Sequence, residues 1–381
     1  MEHPPAVAWT ADGGAVAGLR VTRAAAAAQH PAAPPTSPGE TVNQFTGSAG
    51  QLMQAGSVGT VVFNSTPEPA EHLAAPSWVR YLWEVGAPHA ARFELRHLTH
   101  PQSNHISTYL LTRASTADTA AALTATLRQA LPAPLLGHPV DNDDELRWTL
   151  SPFHPNTADV VEIGKTITAS RTTRGDSPNP WLAAVTPWRA APAETWTRLW
   201  STLASSPTPI LLSVGLLPFR VGEGLRANLA ARAIELDYLA RTGPSPTGGV
   251  FGKPRPPDQF AVAATEVLTD AVHRYTDRVF QTRVTLAGAT PLPAWLTHQA
   301  AEAVSPGANT PGLHSRPATV VHPSPTDRPT AWHNATTLDF RQLTPTETLP
   351  PEAIGPVERR LLAITDLDEA AAALRAPRDL G

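Results

Sequence analysis

The chain has 381 residues, a formal net charge of −4 and an isoelectric point near 6.4. This length accommodates two or three domains, and the acidic balance argues against binding nucleic acid through overall positive charge. The sequence contains no cysteine, which excludes disulfides, thiolate metal sites and a cysteine nucleophile. With no basic leader and no long apolar run in the sequence, we expect a cytoplasmic protein without a membrane partner.

Residues 1–42 are rich in alanine and proline and end in HPAAPPTSPGE before the next segment begins. They contain few large apolar side chains, so burial offers little to offset the entropy lost on ordering them. We therefore predict a disordered tail over residues 1–42.

Residues 43–64 form a charge-free segment that contains a near-repeat of nine residues. The units GSAGQLMQA (47–55) and GSVGTVVFN (56–64) each combine a glycine corner, suited to a tight turn, with a β-prone run. Copies stacked between molecules would align amide side chains and bury apolar ones, as in cross-β assemblies. The residues predicted to make this contact are Gln51, Leu52, Met53, Gln54, Ala55, Gly56, Val61 and Phe63.

The central run Met53-Gln54-Ala55-Gly56 resembles the amyloid signalling motifs of bacterial immune-type systems. Those motifs are related in pattern to the RIP homotypic interaction motif of animal necroptosis proteins. Ala55 stands where the animal motif prefers a branched aliphatic residue, so the bacterial motif is the nearer match. The resemblance implies homotypic self-association through residues 43–64. The alternative is a two-stranded hairpin or an apolar linker.

Residues 65–76 (STPEPAEHLAAP) are predicted to be a linker, and an α+β domain is predicted over residues 77–220. Strands are expected at 92–100, 106–112, 145–150, 160–167, 181–187 and 210–217. Helical periodicity predicts helices at 114–131, with Asp118 as its cap, and at 195–203, with Trp196 and Trp200 on its buried stripe.

Residues 221–305 are predicted to be largely helical, with helices at 222–241, 258–279 and 292–304 and a strand at 282–287. Ile234 is counted among the apolar positions of the first helix. Residues 306–381 are predicted to be a loop-rich tail that ends in two helices, at 356–364 and 367–375. Because strands and helices alternate irregularly and hairpins are expected, the predicted fold class is α+β.

Motifs for chemistry are weak throughout the sequence. The segment GGVFGK (248–253) lacks the first glycine and the final hydroxyl of a phosphate-binding loop, and the acidic run at 141–145 lacks the spacing of a calcium loop. His97 and His100 lie three apart on a predicted strand and so point to opposite faces. We therefore predict no catalytic residue, cofactor or metal. An enzyme site around His97, His100, Arg171 and Arg174 is the alternative, and it requires a pocket that gathers them.

The order of elements from residue 210 to RLLAITDLDEAAAALRAP near the end resembles the non-catalytic region before the motor domain of HerA/FtsK-type and conjugation-type translocating ATPases. In that family an α+β domain ends in a helix with an acidic-Glu-Ala sequence and a proline. The matching residues here are Asp368, Glu369, Ala370 and Pro377. The resemblance covers residues 78–377, carries no catalytic residue and implies a partner motor ATPase.

Taken together, these patterns predict a non-enzymatic adaptor or assembly protein. Homotypic contacts of residues 43–64 would build the assembly, and the α+β body would dock a partner such as a motor ATPase of a conflict or immunity-type system. Two alternatives stay open, an enzyme of unknown class and a degenerate or split subunit of a DNA-translocating ATPase.

Overall fold

The computed structural model describes residues 5–24, 73, 75–246, 252–308, 312–344 and 349–377. The predicted α+β class is confirmed. The strands are β1 (Ala8–Trp9), β2 (Ala15–Arg23), β3 (Arg92–His100), β4 (His105–Ala114), β5 (Leu135–Pro139), β6 (Asp159–Gly164), β7 (Ile167–Arg171), β8 (Trp181–Val185), β9 (Ile210–Arg220), β10 (Arg278–Gly288), β11 (Thr319–Val321) and β12 (Ile364–Thr365). The helices are α1 (Pro76–Gly86), α2 (Ala117–Ala130), α3 (Asp143–Leu150), α4 (Ala193–Ala204), α5 (Glu223–Leu239), α6 (Gln259–Arg274), α7 (Ala294–Val304), α8 (Arg328–Thr337), α9 (Pro356–Ala363) and α10 (Leu367–Ala373).

One antiparallel sheet contains ten strands, eight of which lie side by side in the order β1-β2-β4-β3-β9-β10-β6-β11. Two further strands join it at the sides, β5 on β2 and β12 on β10. The remaining pair, β7 and β8, forms a small antiparallel sheet of its own.

The large sheet contains the same topology twice. In the first unit, β2, α1, β3, β4, α2 and β5 follow one another along the chain, and the strands lie in the order β5-β2-β4-β3. In the second unit, β6, α4, β9, β10, α7 and β11 occur in the same sequence, and the strands lie in the order β11-β6-β10-β9. Here β7 and β8 are inserted before α4, and α5 and α6 are inserted before β10. Each is a split βαβ arrangement, in which a helix connects two strands that are separated by a third. The body is therefore a tandem of two βαββαβ units.

The two units join where β3 pairs with β9, with Phe93 opposite Leu216 and Leu98 opposite Leu211. The connecting helices interlock them further, because α1 contacts β9 and β10 of the second unit and α4 contacts β3 and β4 of the first. Strands from all parts of the described chain thus share one sheet. Strands on either side of the predicted boundaries at residues 42, 220 and 305 pair with one another in this sheet.

One face of the sheet, called here the helix face, packs against α1, α2, α4, α7 and α10 and carries the largest apolar core. The tryptophan stripe predicted for 195–203 is confirmed, since Trp196 and Trp200 of α4 are both buried there. The opposite face, called here the ionic face, is covered by α3, α8 and the segment after α8, with a smaller apolar cluster beneath them. A third cluster joins α5 and α6 to β7 and β8.

The predicted disordered tail is wrong over residues 5–24, where β2 is an inner strand. β2 pairs with β4 over residues 15–21 and with β5 over residues 19–23, and six of its nine residues are buried. Gly18 fits the crowded centre, because a Cβ atom there would lie 2.8 Å from Leu111 Cδ2. Small residues made this strand resemble a low-complexity tail. The predicted linker is wrong at its end too, since Leu73 is 1% exposed and belongs to the core.

Three other predicted elements and the position of Ile234 need correction. Residues 145–150 are helical, because the Asn142 side chain accepts hydrogen bonds from the Asp144 and Glu145 backbone N–H groups and so caps α3. The helix predicted at 258–279 ends at Arg274, and Val279 lies in β10. The predicted loop-rich tail contains β11 and α8. Ile234 faces outward and is 70% exposed.

The cap of α2 is Thr116, and the prediction of Asp118 is wrong. The Thr116 side chain accepts a hydrogen bond from the Thr119 backbone N–H, while Asp118 lies in the first turn. We expect Thr116→Ala to lower the free energy of unfolding by about 1 kcal/mol. Asp118→Ala, the matched control, is expected to cost about 0.5 kcal/mol or less. Equal losses in urea titrations of the two variants would contradict the assignment.

Candidate functional site

The eight residues predicted to self-associate lie outside the described residues. Their place in the chain is nevertheless defined by what flanks them. The segment follows β2, which ends at Arg23, and precedes the buried Leu73 and α1. Residues 43–64 therefore fall within the connection between the first strand and the first helix of a βαββαβ unit, and the chain on both sides of that connection is fixed to the sheet.

The two histidines of the enzyme alternative lie in different environments. His97 is buried on the helix face, where its Nδ1 lies 3.0 Å from Thr108 Oγ1 and its ring centroid 4.7 Å from that of Trp200. Burial lowers the pKa of His97 to about 3, so the ring is neutral. His100 ends β3, where its Nε2 lies 2.9 Å from Ser107 Oγ and its ring stacks on His105.

The two arginines of that alternative are separate from both histidines. Arg171 ends β7, and its guanidinium lies 5.3 Å from the ring centroid of Trp181. Arg174 follows in a loop, where it pairs with Asp176 at 2.6 Å and donates to the Arg241 carbonyl. The structure does not gather the four residues in one pocket, and the observation that the enzyme alternative required is missing.

Asp12, His333 and Asp339 place their ligand atoms within 4.8 Å of one another, at a spacing that a metal ion could bridge. Arginine side chains, however, already pair with both carboxylates. Arg113 lies 2.7 Å from Asp12, and Arg92 and Arg341 lie 3.2 and 3.0 Å from Asp339. Because these positive charges oppose the binding of a cation, we interpret the group as an ion-pair cluster.

A fully buried ionic triad lies at the centre of the ionic face. Glu94 on β3 pairs with Arg96 at 2.6 Å and, through its other oxygen, with Arg283 on β10 at 2.6 Å. Arg96 also donates to the Thr149 and Leu150 carbonyls at the end of α3 and to the Ala335 carbonyl of α8. Its charge complements the negative ends of both helices. The triad thus holds the cover of the ionic face to the sheet.

A second buried network connects the residue after β6 to α10. Lys165 Nζ lies 2.7 Å from Glu369 Oε1 and donates to the Tyr275 hydroxyl and the Ile364 carbonyl. Tyr275 in turn donates to Glu369 Oε2. Burial lowers the pKa of Lys165, and Glu369 opposes that shift.

Beside both networks, a notch interrupts the edge of β10. Gln281 is opposite Ile364 of β12, and Val284 is opposite Ile163 of β6. Among the described residues, Thr282 and Arg283 therefore have no ladder partner on this edge. A cavity of about 130 Å³ opens at the notch. Its lining includes Glu162, Lys165, Trp188, Arg283, Phe340 and Arg341.

Two side chains that line this cavity each carry a buried hydrogen-bond donor without a partner. Arg283 uses its terminal nitrogens for Glu94 and Thr285, which leaves Nε without an acceptor. The Trp188 indole Nε1 is also without an acceptor. The two side chains are 5% and 4% exposed. Because an unpaired buried donor is costly, the cavity is suited to a group that presents acceptor oxygens.

Sequence reasoning missed this site for two reasons. The alternation RFELRH places Glu94 and Arg96 on one face of β3, and a charged face is normally solvated. The residues that bury it, 328–344, were predicted to belong to a loop-rich tail. The one available signal was the charge pattern itself, because Glu94, Arg96 and Arg283 all lie on predicted strands.

Comparison of the chain with protein-family models, with curated proteins and with solved structures found no match. Within the part of the chain that the structure describes, no helix combines the length and apolarity needed to cross a bilayer.

Proposed function

We propose that the chain is a non-enzymatic adaptor that self-associates through residues 43–64 and docks a partner on its α+β body. The observation that carries the proposal is the Gly-Ser-x-Gly repeat within the connection between β2 and α1. Connections longer than about 15 residues are uncommon in compact domains and are often functional. This one is far longer, and it includes the only segment of the sequence that combines a repeat with freedom from charge and proline.

The location of the repeat suits an assembly role. The elements that flank the connection, β2 and α1, belong to the folded body. Copies of residues 43–64 that pair between molecules would therefore bring their bodies together. Identical segments from different molecules favour in-register stacking, since Gln51, Gln54 and the apolar Leu52, Val61 and Phe63 would each meet their own copy. The body then supplies the surface that recruits a partner to the assembly.

For that partner we propose a translocating motor ATPase of a conflict or immunity-type system. The support is the resemblance of the C-terminal helix, whose residues Asp368, Glu369 and Ala370 match the acidic-Glu-Ala sequence that precedes the motor in that family. Glu369 pairs with Lys165 in the core, so this helix is an integral part of the body. A split subunit of such an ATPase remains the alternative. Affinity purification from the native host followed by mass spectrometry tests both, because each requires an ATPase among the retained proteins.

Self-assembly is tested in the full-length chain by two substitutions inside the repeat. We expect Gln54→Asp and Gly56→Pro to abolish it, the first by stacking like charges and the second by removing a backbone donor and a permissive glycine. Thioflavin fluorescence and sedimentation velocity measure the assembly, and far-ultraviolet circular dichroism checks that the body remains folded.

The matched controls are Gln29→Asp and Gly39→Pro, which lie in the same connection outside residues 43–64. Both are expected to assemble like the unmodified protein. A wild-type chain that stays monomeric at all attainable concentrations, or controls that lose assembly equally, would overturn the proposal.

A further inference from the structure

The cavity at the notch of β10 is independent of the self-association segment and offers a distinct chemistry. Arg283 and Trp188 contribute donors without partners, and Arg341 adds an exposed guanidinium at the rim. Lys165 also lines the cavity, but its ammonium is engaged by Glu369, Tyr275 and Ile364. The two buried donors without partners, on Arg283 and Trp188, therefore favour a ligand whose atoms accept hydrogen bonds.

The acidic group in the cavity limits the charge of that ligand. Glu162 lines the same space, and burial raises its pKa. Its Oε1 lies 3.5 Å from Asn334 Nδ2, at the limit of a hydrogen bond. A dianion such as phosphate would lie close to this carboxyl group and would be repelled when Glu162 is ionised. A single negative charge is the better match for one buried guanidinium that already shares its charge with Glu94.

The rest of the cavity wall is apolar. Ile163 and Val284 line it from the sheet, and Val321, Phe340 and Leu362 line it from the surrounding segments. The volume is close to that of engineered apolar cavities of roughly 150 Å³ that accept benzene. The space is therefore suited to a short apolar body of about the size of one six-membered ring.

We propose that this cavity binds a small organic monocarboxylate, whose oxygens accept hydrogen bonds from Arg283 and Trp188 and whose apolar part fills the space beside Val284 and Phe340. In an adaptor, such a site would couple the body to a metabolite by filling the break between β6 and β12. The site would be present whether or not residues 43–64 self-associate.

Benzoate is the probe, benzamide is its neutral isostere, and inorganic phosphate is the anion without an apolar body. The full-length chain is labelled with ¹⁵N-tryptophan, and Trp188→Phe assigns the Trp188 indole N–H signal among those of the ten tryptophans. We expect benzoate to shift this signal in a saturable manner, with affinity at least about tenfold above that for benzamide, because hydrogen bonds to a charged acceptor are stronger than those to a neutral one. Phosphate is expected to leave the signal unmoved.

The Trp196 and Trp200 indoles are internal controls. Both are buried donors without partners, like Trp188, but neither lines the cavity, so benzoate should not move their signals. Arg283→Lys keeps the positive charge and removes the guanidinium, and it is expected to weaken benzoate binding about tenfold or more. Arg341→Gln, at the exposed rim, is expected to weaken binding only about two- to threefold.

An unmoved Trp188 signal up to the solubility limit of benzoate would overturn the proposal. Equal binding of benzoate and benzamide, or tighter binding of phosphate, would overturn it as well. If Arg283→Lys does not fold, the proposal is tested by comparing the three probes on the wild type and by benzoate binding to the Arg341→Gln variant. None of these measurements depends on self-assembly, so failure of this proposal is distinct from failure of the proposed function.

Discussion

Replacing Glu369 with alanine is expected to lower the free energy of unfolding by about 3–5 kcal/mol, because it leaves a buried ammonium without its counterion. Lys165 is 3% exposed and Glu369 is 1% exposed, and their charged atoms lie 2.7 Å apart. The carboxylate also accepts hydrogen bonds from the Tyr275 hydroxyl and from the Trp188 and Asp366 backbone N–H groups. The substitution therefore removes one charge and leaves three donors without an acceptor.

Asp368→Ala is the matched control, since Asp368 is the adjacent acidic residue of the same helix and is exposed. Its loss is expected to stay within about 0.5 kcal/mol. The double variant Lys165→Met/Glu369→Leu should recover much of the stability lost in Glu369→Ala, because an apolar pair can replace a buried ion pair at little cost. Urea unfolding of the variants measures these differences. A Glu369→Ala loss similar to that of Asp368→Ala would show that the pair is not buried in solution.

The elements that sequence reasoning predicted correctly are those whose side chains match their environment locally. The β3–β4 hairpin combines apolar and polar residues in alternation with a short turn. In α4, the apolar residues Trp196 and Trp200 lie four positions apart, which places them on one face of the helix. In both, the residues that face the core are large and recur at the period of the element. At these positions the local sequence pattern agrees with the burial of the side chains in the fold, so the sequence alone is sufficient to predict the element.

The elements that were missed depend on partners distant in sequence. β2 consists largely of small residues, and only its pairing with β4 and β5, some 90 to 120 residues away by the registers of the sheet, makes it an inner strand. The helix at residues 143–150 is predicted as a strand because Leu146, Trp148 and Leu150 are spaced two residues apart, as in a strand. The Asn142 cap instead stabilises a helical backbone. Tertiary pairing and capping outweighed propensity at these positions.

The cavity was beyond sequence reasoning for a related reason. Its walls come from β6, β10, β11, α9, the segment before α4 and the residues after α8, which only the folded structure brings together. Trp188 and Arg283 lie 95 positions apart and carry no motif. What distinguishes them is a missing acceptor, and a missing partner is a property of the folded structure that no residue pattern expresses.

Acid is expected to destabilise the protein through His97, which is neutral in the folded state. Burial lowers the pKa of His97 to about 3, whereas an exposed histidine in the unfolded chain has a pKa of about 6.5. The unfolded state therefore binds the proton first as the pH falls. The stability that the neutral His97 contributes is complete above a pH of about 6.5 and is lost progressively as the pH falls towards 3. At a pH of about 4.5 the loss in the free energy of unfolding amounts to about 2–3 kcal/mol.

His97→Asn removes this titration while keeping an amide near the position of Nδ1, beside Thr108. We expect the variant to be less stable than the wild type at neutral pH, because the ring contact with Trp200 is lost. The difference in the free energy of unfolding between wild type and variant should then shrink by about 2–3 kcal/mol from a pH of about 7 to about 4.5, because only the wild type loses stability as His97 is protonated in the unfolded state. Urea unfolding at several pH values measures this difference, with the exposed His89→Asn as control. If this difference stays constant over the pH range, His97 can be protonated in the folded protein. The helix face beneath α4 would then be accessible to solvent.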